Sequence, residues 1–466
     1  MTGRAVIVFA LAASACSVSP NYKRPVTNLP DVFRDTAPPV TPGDDQASLG
    51  DQKWWDLFQD EQLQELLRTA LRQNFDVRIA AARVAEAGAQ LGITHADQFP
   101  QVDATALAAR QRAAASPVPF PVQAYGRNLF QTGASVSWEA DFWGKFRRST
   151  EAARATLAAT EWGRRAVVTS LVAQVAEGYF ALRAIDLNLD ISRQTLASRQ
   201  ESLRLTQVRA AGGASSELDV RQAEQLVFGA SATIVDLERQ AAQQENLISI
   251  LEGRNPGPVA RGRALTDQPL IPEVPTGLPS ALLQRRPDIV EAEQSLIAAN
   301  ANVGVARANY FPAVSLTGSG GFQSAALSSL LTGPGTFFTL GASLLQPVFT
   351  AGRTRSQVEL AEARREEALL TYQQTILHSL RDISDALTAY RQNREFRDQQ
   401  QLLTHSAGDA LRLTTVRYEG GASSYLEVLD ADTRLFAAQL VLAQAQLNEL
   451  LALVQIYRAL GGGWEE

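Results

Sequence analysis

Cysteine occurs once in these 466 residues, at Cys16, methionine once, at Met1, and histidine three times. One thiol leaves no disulfide within the chain. Met1 is expected to leave with an export signal, so a soft-metal pathway lined by thioether or thiol ligands is not expected in this polypeptide. His95, His378 and His405 stand far apart in sequence with no HExxH or CxxC pattern beside them, so no metal centre is expected. Gly144-Lys145 lacks the earlier glycine and the following Ser/Thr of a phosphate loop, and no Gly-x-Ser-x-Gly elbow occurs. No cofactor and no enzymatic chemistry are expected.

Charge of one sign is also missing. The 43 basic and 49 acidic residues are interspersed and leave a net charge of -6. A polyphosphate partner needs a long positive stripe, so nucleic acid is not an expected partner. After the first few residues no run of eighteen apolar residues occurs, which argues against a helical membrane span. A membrane role is then left to an amphipathic barrel, a lipid anchor or both.

At 45% hydrophobic residues, the chain has enough apolar side chain for one large core or several ordinary ones. It opens Met-Thr-Gly-Arg, continues with an apolar run from Ala5 to Ala13, and reaches small residues at Ser14-Ala15 before Cys16. That is the layout of an export signal cut before Cys16, where a lipoprotein carries its acyl chains. Several such chains, at about 0.8 kcal/mol per buried methylene, make a firm anchor. The place three residues before the cysteine, usually Leu in bacterial lipoprotein signals, holds Ala13.

The most informative positive feature is a long repeat. Leu203-Arg204-Leu205-Thr206 through Gly212-Gly213-Ala214-Ser215-Ser216 returns 208 residues later, as Leu411-Arg412-Leu413-Thr414 through Gly420-Gly421-Ala422-Ser423-Ser424. Of the 22 positions from Leu203 to Glu224, 14 match their partners. The same offset pairs Gly133-Ala134-Ser135 with Gly341-Ala342-Ser343. Upstream the offset becomes 212, which pairs Phe99-Pro100 with Phe311-Pro312. A period this long disfavours a solenoid. The predicted organisation is a signal at 1–15, a lipid-anchored extension at 16–60, a first repeat at 61–253, a linker at 254–280, a second repeat at 281–461 and a tail at 462–466.

Each copy reads helix, strand, strand, very long helix, turn, helix. Val168, Leu171, Val175, Gly178, Leu182 and Ile185 in the first copy alternate spacings of three and four, as do Ile376, Leu380, Ile383, Leu387 and Tyr390 in the second. That rhythm is a coiled-coil seam. No proline falls between 144 and 211 or between 353 and 419, and a helix of that length spans about 100 Å.

From Phe130 to Phe142 the even positions are apolar and the odd ones polar, apart from Thr132 and Gly133. Phe338, Leu340, Ala342 and Leu344 repeat the pattern, and the predicted partner strands are Val102 to Ala108 and Val314 to Phe322. A sheet with a greasy and a polar face suits lipid outside and water inside. Four strands leave two open edges, which hydrocarbon does not tolerate, so the barrel has to be shared between copies of the chain. A non-conducting coiled-coil periplasmic scaffold is the alternative, and it has no need of the alternation from Phe130 to Phe142.

Cys16 to Pro25, Trp54 to Phe58 (WWDLF), Asp141 to Lys145 (DFWGK), Arg285 to Ile289 (RRPDI) and Tyr418 to Asp430 (YEGGASSYLEVLD) resemble signatures of the outer-membrane efflux family of the TolC and NodT type. The resemblance implies a mainly α chain with a membrane β-barrel, built as a homotrimer with four strands per protomer in one twelve-stranded barrel. A periplasmic helical tunnel would continue that barrel and be opened by a periplasmic adaptor coupled to an inner-membrane resistance-nodulation-division transporter. The implied function is passive conduction of drugs or toxic compounds across the outer-membrane lipid.

The two Gly-Gly corners and the serines after them are predicted to end the long helices and start the return helices. The resemblance places a periplasmic gate there: Tyr418 and Asp430 match the family pattern, Glu427 stands where aspartate is common, and Asp219 is its counterpart in the first copy. A competing reading makes Ser424 to Glu427 a capping box, in which the glutamate only satisfies the helix start.

Overall fold

The computed structural model describes residues 21–27, 29–30, 33, 48–113, 125–269 and 279–464. Cys16 and Ala13, the signal, most of the extension and part of the linker lie outside these residues.

The main elements are α1 (Glu61–Gln73), α2 (Phe75–Ala96), β1 (Gln101–Ala113), β2 (Tyr125–Ala140), α3 (Lys145–Ala211), α4 (Glu217–Leu251), α5 (Pro287–Ala308), β3 (Ala313–Ser324), β4 (Thr336–Leu345), α6 (Arg353–Glu419) and α7 (Tyr425–Ala459). The duplication holds helix by helix: α2 and α5 have 22 residues each, α3 and α6 have 67, and α4 and α7 have 35.

Two compact units form. One takes residues 1–26, 84–160 and 292–372, and the other takes 27–83, 161–291 and 373–466. The second is helical and carries the coiled-coil core. Of the predicted seams, Leu171, Val175, Leu182, Ile376, Ile383 and Tyr390 are buried. Helix α7 is long and apolar enough to cross a membrane by composition alone, but half of its most apolar window is packed inside the protein. Its apolarity serves helix packing, with Leu450, Leu453, Val454 and Ile456 all buried.

A buried carboxylate ties this unit together. Asp60 starts α1 by accepting from the Gln62 and Leu63 amides, which puts Leu63, Leu66, Leu67 and Ala70 on one buried face. Its other oxygen accepts from the Tyr179 hydroxyl at 2.8 Å, the Arg263 amide at 2.9 Å and the Gln268 amide group at 3.0 Å. Burial pushes the Asp60 pKa up, but these donors outweigh it and hold the group below the usual carboxylate range.

The first unit contains one antiparallel sheet in the order β1-β2-β3-β4. The strands match the predicted segments and extend them. One boundary differs: β2 stops at Ala140, and Phe142 lies in the turn that follows. The cause is Asp141, whose carboxylate accepts from the Arg147 amide at 2.8 Å in the first turn of α3, while Gly144 supplies a φ of +81°.

Candidate functional site

Opposed residues in an antiparallel pair lie on the same side of the sheet, so the strand register decides whether four separate alternations make one surface. Val102 faces Val136, Val136 faces Gly318, and Gly318 faces Leu340. One step along, Trp138 faces Leu316, which faces Ala342. The alternating apolar residues of all four strands therefore share one face, which also carries Arg110, Thr132, Ser324 and Thr336, while Asp103 and most of the serines and threonines share the other with Leu107, Leu129, Phe337 and Leu345.

That apolar face is bare: Val102, Leu316, Phe338, Leu340 and Leu344 are all exposed, Phe338 at 82%. The β2–β3 ladder is tightest where Gly133 meets Gly321. A Cβ on Gly321 would sit 2.1 Å from the Thr132 carbonyl oxygen, so only glycine fits.

At one end of the sheet, Trp138 donates its indole N–H to the Gln98 carbonyl at 3.0 Å, and Trp143 donates to that of Pro312 at 2.8 Å. Trp143 also stacks on Phe311, with ring centroids 4.8 Å apart. Aromatic rings with a bonded polar tip suit a lipid–water boundary.

Among the described residues β1 and β4 each pair on one side only, so the outer edge of each offers a row of free amides and carbonyls.

The helix corners form as the repeat predicts. Gly213 and Gly421 take φ of +76° and +73°, and Ser216 and Ser424 cap α4 and α7. The capping box, however, sits in the other copy. Ser216 accepts from the Asp219 amide at 3.2 Å while Asp219 accepts from the Ser216 amide at 2.9 Å. Ser424 makes no side-chain cap bond, and Glu427 is exposed and free of that duty. The matching positions thus differ: Asp219 closes a two-way box in the first copy, and Glu427 closes none in the second.

Tyr418 lies against residues of both copies. Its ring is 4.6 Å from the Arg209 guanidinium carbon and 5.3 Å from the Tyr425 ring, and its hydroxyl is 3.5 Å from that of Ser215. Asp430 is exposed and accepts from Arg434 at 2.8 Å, one helical turn on. Among the described residues, Tyr418 is the one of the four candidate tip residues that bridges the two copies. Asp219, Glu427 and Asp430 make no such bridge to any described residue.

Three groups were not singled out from sequence. Tyr425 bonds the Ser202 hydroxyl at 3.0 Å. Arg199 pairs with Asp432 at 2.7 Å between α3 and α7. Arg24 pairs with Glu293, which is buried on α5. The first two fall within the 208-residue match yet differ between copies, Tyr425 against Glu217 and Asp432 against Glu224, and that asymmetry was the available signal. Nothing in the spacing points to the third. The three histidines are all exposed; His95 stands on α2, and His378 and His405 stand on α6, 27 residues apart in sequence.

A sheet with one greasy face and two open edges defines a subunit of a membrane β-barrel, since only closed barrels satisfy a sheet's backbone in hydrocarbon. The chain belongs to the outer membrane efflux protein family, whose model matches residues 66–253 and 278–462, one match per copy of the repeat. It is similar to outer membrane protein OprJ of Pseudomonas aeruginosa, 34% identical over all of this chain and 96% of that protein. It is 33% identical to the cation efflux system protein CusC of Escherichia coli O6:H1, over 98% of each. Among solved structures, the open state of the Neisseria gonorrhoeae MtrE outer membrane channel superposes with a TM-score of 0.87 at 29% identity, over 97% of this chain and 99% of that one. The chain is thus an outer-membrane channel component of an efflux pump.

Proposed function

We propose that three copies of this chain close the free edges of β1 and β4 into one twelve-stranded barrel. Through it small molecules would pass passively, delivered by a periplasmic adaptor and an inner-membrane transporter. The chain itself catalyses nothing. What supports this most is the strand register, which lines up four apolar faces and leaves both outer edges unpaired. In a single copy these features are liabilities in water and in lipid alike. In a closed ring of copies each is satisfied.

In the same reading Cys16 carries the lipid anchor after signal removal, with 16–60 as the anchored extension and 254–280 joining the two repeats. Tyr418, Asp430, Glu427 and Asp219 form the periplasmic gate. Within that set Tyr418 is the bridging member, and Asp219 serves its helix cap as well. The cargo is a drug or toxic compound chosen by the transporter. CusC bears the name of a cation efflux protein, while this chain after signal removal has no methionine or cysteine beyond Cys16 to hold soft cations.

The test is reconstitution of purified protein in planar lipid bilayers. Discrete conductance steps and a trimer mass in detergent are expected. A monomer that stays soluble without detergent and conducts nothing would overturn the proposal.

A further inference from the structure

The helical unit contains a cavity of about 460 Å³ between α3, α4, α6 and α7, close to the two Gly-Gly corners. Such a space within a helix bundle needs a cause, because packed helices normally fill the gap with interlocking side chains. Here small side chains, among them Ser198 and Ala223, stand where larger ones would reach across. The volume lies inside the range of about 300–1,000 Å³ typical of sites for drug-sized molecules.

Its wall is largely apolar, with Leu226, Leu411 and Val428 contributing, and the charges on it mostly cancel in pairs. Arg199 is bound to Asp432 at 2.7 Å, and Glu201 to Arg204 at 2.6 Å. Arg209 and Glu419 remain, and they differ in setting. Glu419 is exposed, so water and salt screen it. Arg209 is half-buried under the Tyr418 ring and makes no ion pair with any described residue. Its Nε is sealed from solvent without a hydrogen-bond partner. A cation in an apolar wall attracts an anion more strongly than an exposed carboxylate repels one. The sign of the site is therefore set by Arg209.

We infer that this cavity binds an amphiphilic organic anion of one or two rings. Its apolar body lies along Leu226, Leu411 and Val428, and its carboxylate or sulfonate meets the guanidinium of Arg209. Because the wall draws on both copies of the repeat and includes Tyr418, an occupant ties α3 to α6 and α7 and resists any motion that parts Tyr418 from Arg209. The inference stands on the cavity itself and does not depend on conduction.

The probe is 2-naphthoate, with the uncharged 2-naphthalenemethanol as its control. Binding is read by titration calorimetry on the full chain in lipid nanodiscs, against protein-free nanodiscs as blank. Saturable naphthoate binding is expected. R209Q should weaken it by about tenfold or more, the scale of a lost charge-assisted hydrogen bond, and leave the alcohol within about twofold. A223W should fill the cavity and abolish binding of both, with circular dichroism confirming that the variant is folded. Naphthoate binding no greater than to empty nanodiscs overturns the inference. So does binding that R209Q and A223W both leave unchanged, since the molecule would then sit elsewhere.

Discussion

The Arg24 guanidinium meets the Glu293 carboxylate along both its edges, Nε to Oε1 at 2.6 Å and Nη2 to Oε2 at 2.5 Å. Tyr22 adds its hydroxyl to Oε1 at 3.1 Å, and Asn21 accepts from Arg148 at 2.8 Å. A short stretch just past Cys16 is thereby strapped to α5 and to the start of α3.

The Glu293 side chain is 5% exposed while that of Arg24 is 46% exposed, so removing Arg24 strands a buried carboxylate. Such an orphaned charge costs several kcal/mol when fully enclosed; with a half-exposed partner, Arg24→Ala should cost about 1–3 kcal/mol. Thermal melting of the detergent-purified protein measures it, and Glu293→Gln in the same chain should recover part of the loss. A melt identical to wild type would mean the strap contributes nothing to stability.

Asp60 should make stability sensitive to acid. Its pKa is lowered in the folded chain, so the unfolded chain takes up the proton more readily. The stabilisation is complete above the ordinary carboxylate value of about 4 and is lost as pH falls through the lower folded value. Asp60→Asn should flatten that part of the profile. At neutral pH, Asp60→Ala should cost on the order of 3 kcal/mol, since it removes a helix cap and leaves the Tyr179 and Gln268 donors without their acceptor. Chemical denaturation between pH 3 and pH 7 separates the two variants.

The two return helices, alike in sequence, should respond differently to loss of the cap serine. Ser216→Ala removes a two-way box and should cost about 1 kcal/mol. Ser424→Ala removes a side chain that makes no cap bond, so a smaller effect is expected. Amide exchange over the first turns of α4 and α7 gives the comparison. Equal loosening of both would contradict the asymmetry.

Gly321→Ala should prevent the sheet from closing, because the new methyl would overlap the backbone of Thr132 and Gly133. Neither neighbour is a side-chain end that can swing away. Loss of heat-modifiable barrel mobility on gels is expected, with the helical circular dichroism signal largely kept. Gly333→Ala has open space around it and serves as the neutral control.

If Tyr418 locks the tip, Tyr418→Ala should raise single-channel conductance, since its contacts with Arg209, Ser215 and Tyr425 are lost together. Tyr418→Phe keeps the ring contacts and loses only the 3.5 Å hydroxyl approach to Ser215, so it should stay near wild type. Asp430→Ala reads out charge instead. A drop in cation preference is expected if Asp430 lines the conducting path.

Much of this protein was written in one dimension. The duplication, the proline-free helices, the Gly-Gly corners and the four alternating strands depend on spacing and on residues with narrow backbone preferences, and these act within a few positions along the chain. Tyr418 was singled out through the family resemblance and not through spacing. Tertiary structure decided what depends on distance across the fold. Strand register turned four alternations into one apolar face, and a one-residue slip in any strand would have undone it. The capping box formed at Asp219 and not at Glu427, although glutamate at that position is the usual partner. Arg24 found Glu293 269 residues away, and the unfilled space beneath Tyr418 arose where small residues on separate helices met. Sequence periodicity fixes which face of an element is apolar, but pairings and voids follow only once the elements are packed against one another.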